Sequence, residues 1–240
     1  MIIDHTNRRV LDVLESREKE RLIEWLTTQR DAGLLAQVAE VTTDMWEGYT
    51  QAAREVFGAA VRVVIDRFHV MKNFQERLEK ARRDIQKTLH PEAAKGLKGL
   101  RWLWITNPEN LDDDRRQELQ ELKQLIPELG RLHDLREGLR AIFEDQRVRR
   151  PATAIERFQE WIAEARRTGL QAVETFCGLL ERWMEGIANY FVDRASNGRT
   201  EGFNHGLRSI LWRAFGLRNF QHFRLRALDS FGQPRPQEST

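Results

Sequence analysis

The chain has 240 residues, of which 40% are apolar and 32% charged, so it holds enough apolar material for a sizeable core and is not of a disordered composition. No stretch approaches the roughly 18 consecutive apolar residues of a spanning helix, so a membrane protein is excluded. The formal net charge is only +2, which by itself identifies no partner, but the charge is unevenly placed.

The opening residues MIIDHTNRRV lack the basic-then-apolar order of a signal peptide, and a cytoplasmic protein is expected. Met1–Asp4 and Val10–Leu14 read as short strands joined by the turn-like His5-Thr6-Asn7. Lys19–Thr28 reads as a helix with Leu22, Ile23 and Leu26 on one face. Gln37–Thr42 is an expected strand leading to Asp44, and Tyr49–Phe57 a short helix. Val61–Ile65 is a continuous β-branched run, the pattern of a buried strand, and Asp66 follows it directly.

From Val70 to about Tyr190 the period becomes helical. Val70, Phe74, Leu78, Ala81, Ile85 and Leu89 form one stripe, ended by His90-Pro91. Leu111–Leu125, Glu128–Asp145, Thr153–Thr168 and Leu170–Tyr190 read as further helices, punctuated by Pro127, Pro151 and Gly169. Cys177, the single cysteine, lies in the apolar pattern LQAVETFCGLLERW and is expected to be a buried structural thiol. A lone cysteine also excludes an intramolecular disulfide and a multi-cysteine zinc site. Gly232–Thr240 is polar and proline-containing, an expected disordered tail.

Asp44, Asp66 and Glu201 are the carboxylates to weigh for chemistry; a two-metal site usually needs three, and two good candidates are present. Asp44 and Asp66 each follow a strand. In a mostly parallel sheet such positions line the crevice where ligands bind, although aspartate is also ordinary turn chemistry there. Glu201 sits on an expected helix opened by Ser196-Asn197-Gly198, on which residues 201, 204, 205 and 208 share a polar face, while 203, 207, 210 and 214 share an apolar one. Hard divalent cations held by carboxylates are what phosphoryl transfer on DNA requires. His69, three residues after Asp66, is expected to orient neighbours in the site and not to bind zinc. Between Arg194 and Arg226 stand seven arginines (194, 199, 208, 213, 218, 224 and 226) against one acid, Glu201, a pattern suited to phosphates.

The stretches TTDMWEGYTQAA, VIDRFHVMKN, RWLWITNPENL, SNGRTEGFNHGLRSI and RAFGLRNFQHFRLR resemble the DDE transposases of insertion sequences, specifically the ISL3 family. The resemblance covers nearly the whole chain. It implies an α/β fold, with an RNase H-like core of mixed sheet and helices interrupted by a large all-α insertion. The core is then expected in residues 1–70 and 193–231, the insertion in 71–192 and the tail in 232–240. Asp44 matches the second catalytic aspartate and Glu201 the catalytic glutamate, and both become the expected metal ligands for Mg²⁺ or Mn²⁺. Asp66, His69 and Asn204 become active-site neighbours. Arg199, Arg208, Arg213 and Arg218 become the DNA contacts. The partners implied are insertion-sequence ends and target DNA, with a second copy or a full-length transposase as the protein partner, and no membrane.

The front of the chain departs from the family. The zinc-binding segment, the helix-turn-helix region and the first strand with its aspartate have no counterpart in residues 1–240. Met1–Asp4 matches the second strand, so Asp4 is a strand-end residue. The expectation is a truncated reading frame, or a start assigned too late, that binds DNA weakly and does not cut it alone. The alternatives are a non-catalytic DNA-binding or regulatory remnant, and an RNase H-like nuclease using Asp4 as its third carboxylate.

Overall fold

A computed structural model describes residues 1–90, 100–194, 198–213 and 219–233, without the side chains of residues 101, 198–201 and 204. The chain is mixed α/β, mostly helical with small sheets, and divides into two compact units. One is Met1–Val63 with Ala195–Thr240, and the other is Val64–Arg194.

The first unit begins with a hairpin of β1 (Ile2–Asp4) and β2 (Arg9–Asp12), antiparallel, with a register shift between Ile2 and Ile3. Asp4 closes the turn. Its Oδ1 accepts the Asn7 backbone amide at 2.9 Å and its Oδ2 accepts Asn7 Nδ2 at 2.7 Å, with Arg9 Nε at 3.4 Å. The second strand is one residue earlier than expected at its start and stops at Asp12, whose side chain is interior (3% exposed).

Alternation along β2 sends its residues into two of the unit's hydrophobic clusters. Val10 packs with Val13, Phe203, Leu207 and Ala227, joining the hairpin to α10 (Gly198–Arg213) and α11 (Phe220–Phe231). Leu11 points the other way, into a cluster of Leu22, Ile23 and Leu26 from α1 (Lys19–Asp31), Leu35 from the turn after it, and Ala52 and Val56 from α2 (Glu47–Phe57). Strand β3 (Glu40–Thr43) pairs with β4 (Arg62–Ile65). Arg62 donates its amide to Ala39 at 2.9 Å and its Nε to Glu40 Oε2 at 2.7 Å. Among the described residues the strands therefore form two separate pairs, where the sequence led us to expect one mixed sheet.

The second unit is helical. Helix α3 (Arg67–Thr88) buries Val70, Phe74, Leu78 and Ala81, the expected stripe, and Ile85 and Leu89 are half-buried. It is followed by α4 (Arg101–Ile105), α5 (Asp113–Leu125), α6 (Pro127–Glu144), α7 (Pro151–Arg166), α8 (Gln171–Arg182) and α9 (Met184–Asp193). The core is aromatic. Phe74 meets Phe176 and Trp161 with centroids 4.5 and 5.2 Å away, and Phe143 stacks on Phe191 at 5.7 Å. Trp161 donates its indole N–H to the Leu135 carbonyl at 2.9 Å, which settles the polar end of a buried ring.

The expected single helix over Leu170–Tyr190 is two helices, α8 and α9, parted at Trp183 (φ −105°, ψ 12°). No glycine or proline marks that break, so the periodicity ran through it. Cys177 is fully buried, and burial pushes its thiol up to about 11, as a structural cysteine requires. Pro91 and the tail beyond residue 233 lie outside the described residues.

Candidate active site

The motif TTDMWEGY folds as the end of β3 and the start of α2. Trp46 lays its indole across Gly48, where a Cβ would meet the ring at 2.2 Å, so only glycine admits this packing. The same indole meets Tyr49 edge-on at 4.4 Å. Asp44 sits at the head of this arrangement, its carbonyl accepting the Trp46 amide at 2.9 Å. Its Oδ1 is buried and has no hydrogen-bond partner. Burial raises the Tyr49 hydroxyl above its ordinary value, and the negative charge of Asp44 adds to that rise against Arg17. An orphaned buried carboxylate oxygen carries a desolvation cost of about 1–3 kcal/mol, and a hard cation is the partner that would remove it.

Glu201 lies in the first turn of α10, in the same unit as Asp44, and its side chain is outside the described residues. The same is true of Asn204 and Arg199, and Arg218 lies in 214–218, also outside them. The helix itself is positioned by its apolar face. Phe203 and Leu207 are buried, Ile210 packs beside them, and Gly206 admits Phe231, whose ring would lie 2.4 Å from a Cβ there.

Asp66 and His69 belong to the second unit. Asp66 is the N-cap of α3, its Oδ1 accepting the Phe68 amide at 3.1 Å, and the side chain is 1% exposed. Its Oδ2 is buried without a hydrogen bond, and His69 Nε2 stands 4.0 Å from it, beyond hydrogen-bond reach. Among the described residues no group of three His, Cys, Asp or Glu side chains is placed to hold a metal ion.

The arginine-rich segment divides by role. Arg208 and Arg213 are exposed on α10, and Arg226 is exposed on α11. Arg194 and Arg224 are internal, which corrects the view of the seven as one phosphate-facing set. Arg194, left-handed at φ 48°, donates Nη1 to the Phe143 carbonyl and Nη2 to the Val148 carbonyl, both at 2.8 Å, and Nη2 also reaches the Asp145 carbonyl. It thus satisfies carbonyls at the carboxyl end of α6. Arg224 pairs with Asp12 by Nε to Oδ1 at 2.5 Å and Nη2 to Oδ2 at 2.7 Å. The sequence pattern alone did not single out Asp12. Its signal was an aspartate inside the apolar run Val10-Leu11-Asp12-Val13-Leu14.

A family model for transposases, the ISL3 group of the DDE class, matches residues 1–227. The chain belongs to this transposase family. Among curated relatives, the transposase for insertion sequence element IS1001 of Bordetella parapertussis is 27% identical over 234 residues, covering 96% of this chain and 56% of that protein. The chain therefore spans about half the length of that relative. No solved structure matches it. Transposases of this class generally use divalent metal ions. No helix among the described residues is long and apolar enough to cross a membrane.

Proposed function

We propose that residues 1–240 are the catalytic-domain portion of an insertion-sequence transposase, acting on DNA by metal-assisted phosphoryl transfer. The observation that carries this is Asp44. It directly follows strand β3, in a motif that resembles the one carrying the family's second catalytic aspartate, and one of its buried carboxylate oxygens has no hydrogen-bond partner among the described residues. Asp44 and Glu201 would hold the divalent ion, Mg²⁺ or Mn²⁺. When bound, the ion would activate the attacking oxygen and stabilise the leaving one. The chain's own contribution is positional. The Trp46–Gly48 packing fixes the start of α2 and so the Asp44 backbone, and the Phe203–Leu207 face docks α10 and so the turn carrying Glu201. Asn204 is proposed as a neighbour of that site, and Arg199, Arg208, Arg213 and Arg218 as contacts to the DNA backbone.

In an RNase H-like core the strand bearing the first aspartate lies between the strands assigned here to β1–β2 and to β3–β4. Residues 1–240 supply no third carboxylate from that position, so this polypeptide by itself is proposed to bind DNA without cutting it. A second copy or a full-length transposase is proposed as its protein partner. The nuclease alternative, with Asp4 as third ligand, is disfavoured by the hairpin. Both Asp4 oxygens are engaged by Asn7 and Arg9, which outweigh desolvation and hold the carboxyl below its usual range. The test is cleavage of a labelled duplex by purified residues 1–240 with Mn²⁺. No product is expected. Robust cleavage abolished by Asp4→Ala would replace this proposal with the nuclease reading.

A further inference from the structure

Trp212, at the end of α10, is 85% exposed. Among the described residues, an indole so exposed on an otherwise amphipathic helix covers little. Its neighbours are cationic or neutral. His205, Arg208 and Arg213 are exposed on the same helix, and the sequence contains no acid from Gly202 to Leu228. Residues 205, 208 and 212 share one face by helical period, opposite Phe203, Leu207 and Ile210, which pack against the hairpin and α11. Position 201 falls on the same stripe, three turns before Trp212 and roughly 16 Å along the axis at about 1.5 Å per residue.

We propose that the His205–Arg208–Trp212 stripe is a track for a single DNA strand, with Trp212 stacking on an unpaired base. This rests on the transposase reading above and deepens it by naming the DNA form the site takes. The chemistry separates the duties. Guanidinium groups neutralise phosphates whatever the base pairing. An indole face gains from a nucleotide only when the base is unstacked from its neighbours, because a duplex hides its π-faces. A blunt duplex would therefore use Arg208 and Arg213 but not Trp212. A frayed or single-stranded end would use all three. Lone aromatic exposure without cations would suit a protein partner equally well, but the exposed cations on the same helix, in a stretch of sequence without an acid from Gly202 to Leu228, favour a polyanion.

The test is fluorescence anisotropy with the 240-residue chain and three labelled DNAs: a single strand, a blunt duplex of the same sequence, and that duplex with a frayed end. Trp212→Ala is expected to weaken the single-stranded and frayed DNAs by about 5- to 150-fold, the range of one stacked base, and the blunt duplex by less than about twofold. Trp212→Phe should keep most of the affinity, since it keeps a π-face. The residue is exposed, so unchanged circular dichroism and melting are expected for both variants. Equal losses on all three DNAs, or no loss on any, would overturn the stacking role and leave the transposase reading intact. A dimer lost on Trp212→Ala, with DNA binding unaltered, would assign the indole to a protein interface instead. Failure of all three DNAs to bind the unaltered chain would sink the proposed DNA-acting role itself and leave family membership untouched.

Discussion

Arg224 closes on Asp12 across 212 positions of sequence, with both guanidinium-to-carboxylate hydrogen bonds at or below 2.7 Å. Trp25 adds its indole N–H to Asp12 Oδ2 at 2.7 Å and the Val13 amide donates to Oδ1 at 2.7 Å. The amino-terminal hairpin, α1 and α11 are thus tied through one buried carboxylate. The first unit is assembled from the two ends of the chain, and this tie is the polar counterpart of the Val10–Phe203–Ala227 cluster beside it.

The first prediction follows from that asymmetry. Arg224→Ala leaves Asp12 buried beside apolar neighbours with its strongest partner gone. Arg224 is a third exposed, so the cost should fall below that of a fully buried pair, at about 1–3 kcal/mol. Asp12→Asn, which keeps a hydrogen-bonding group and removes the charge, should cost less. Urea unfolding followed by circular dichroism is the measurement, and a loss no larger than that of an exposed control such as Arg226→Ala would refute the role. The pH dependence has a definite sign. Desolvation opposes ionisation of Asp12, but Arg224, the Val13 amide and Trp25 outweigh it and hold the carboxyl below its usual range. A depressed carboxyl contributes stability above its unfolded value, about 4, and that stability is lost as pH falls through the lower folded value.

His133 predicts an acid sensitivity of the second unit at higher pH. It is buried on α6, both ring nitrogens lack hydrogen-bond partners, and Trp104 lies edge-on at 6.2 Å. Burial lowers its pKa first and Lys123 lowers it further, against Glu137 and Asp134. The folded state therefore holds a neutral ring. As pH falls below the unfolded value of about 6.5 the unfolded chain takes up a proton that the folded chain resists, and stability declines until the folded value is reached. Melting of His133→Leu across pH 7 to 5 should show this part of the decline removed. An unchanged slope would refute it.

How much of this was legible in the sequence depends on range. Strand and helix order followed from local signals: the β-branched run ending at Ile65, the stripe from Val70 to Ala81, and the Phe203–Leu207–Ile210 face. The break at Trp183 was not legible, because nothing in Leu180-Glu181-Arg182-Trp183-Met184 interrupts an apolar helical period. The roles of Arg194 and Arg224 were not legible either. Composition counts every arginine as a surface cation, and only tertiary packing reveals which are committed to carbonyls of α6 or to Asp12. At the site, the motif around Asp44 was readable. What was not was the Trp46 ring on Gly48, a packing over two residues that periodicity does not encode.

That sorting gives a prediction for DNA binding. Phosphate tracking by Arg208 and Arg213 requires a steep salt dependence. Removing both should flatten the slope of log affinity against log salt by about 1.8, near 0.9 for each phosphate that an arginine no longer neutralises. Arg194→Ala should leave the slope alone and lower stability instead, because its guanidinium caps α6 and is not available to DNA. Titrations at several salt concentrations distinguish the two cases. A slope indifferent to Arg208 and Arg213, or one that Arg194→Ala flattens equally, would refute the division of the segment.

The last prediction concerns Asp44 and Glu201, separated by 157 residues in the sequence and proposed to share a divalent ion. Ligands of one ion or of a two-ion site require their carboxylates within roughly 4–8 Å of each other. Fe²⁺ can replace Mg²⁺ at hard oxygen sites and, with ascorbate and peroxide, releases hydroxyl radicals that cut the backbone beside the bound ion. In the 240-residue chain two cuts are expected, one near Asp44 and one near Glu201, both suppressed by excess Mg²⁺. Asp44→Asn should suppress both cuts, including the distant one near residue 201, because the ion itself is lost. That coupling is the discriminating result. A protein in which Asp44 merely ends a strand, and Glu201 merely stabilises the positive end of a helix, has no reason to lose cleavage at one position when the other is changed. Cleavage at neither position, or cleavage near residue 201 that survives Asp44→Asn, would end the shared-metal proposal while leaving the membership of the family untouched.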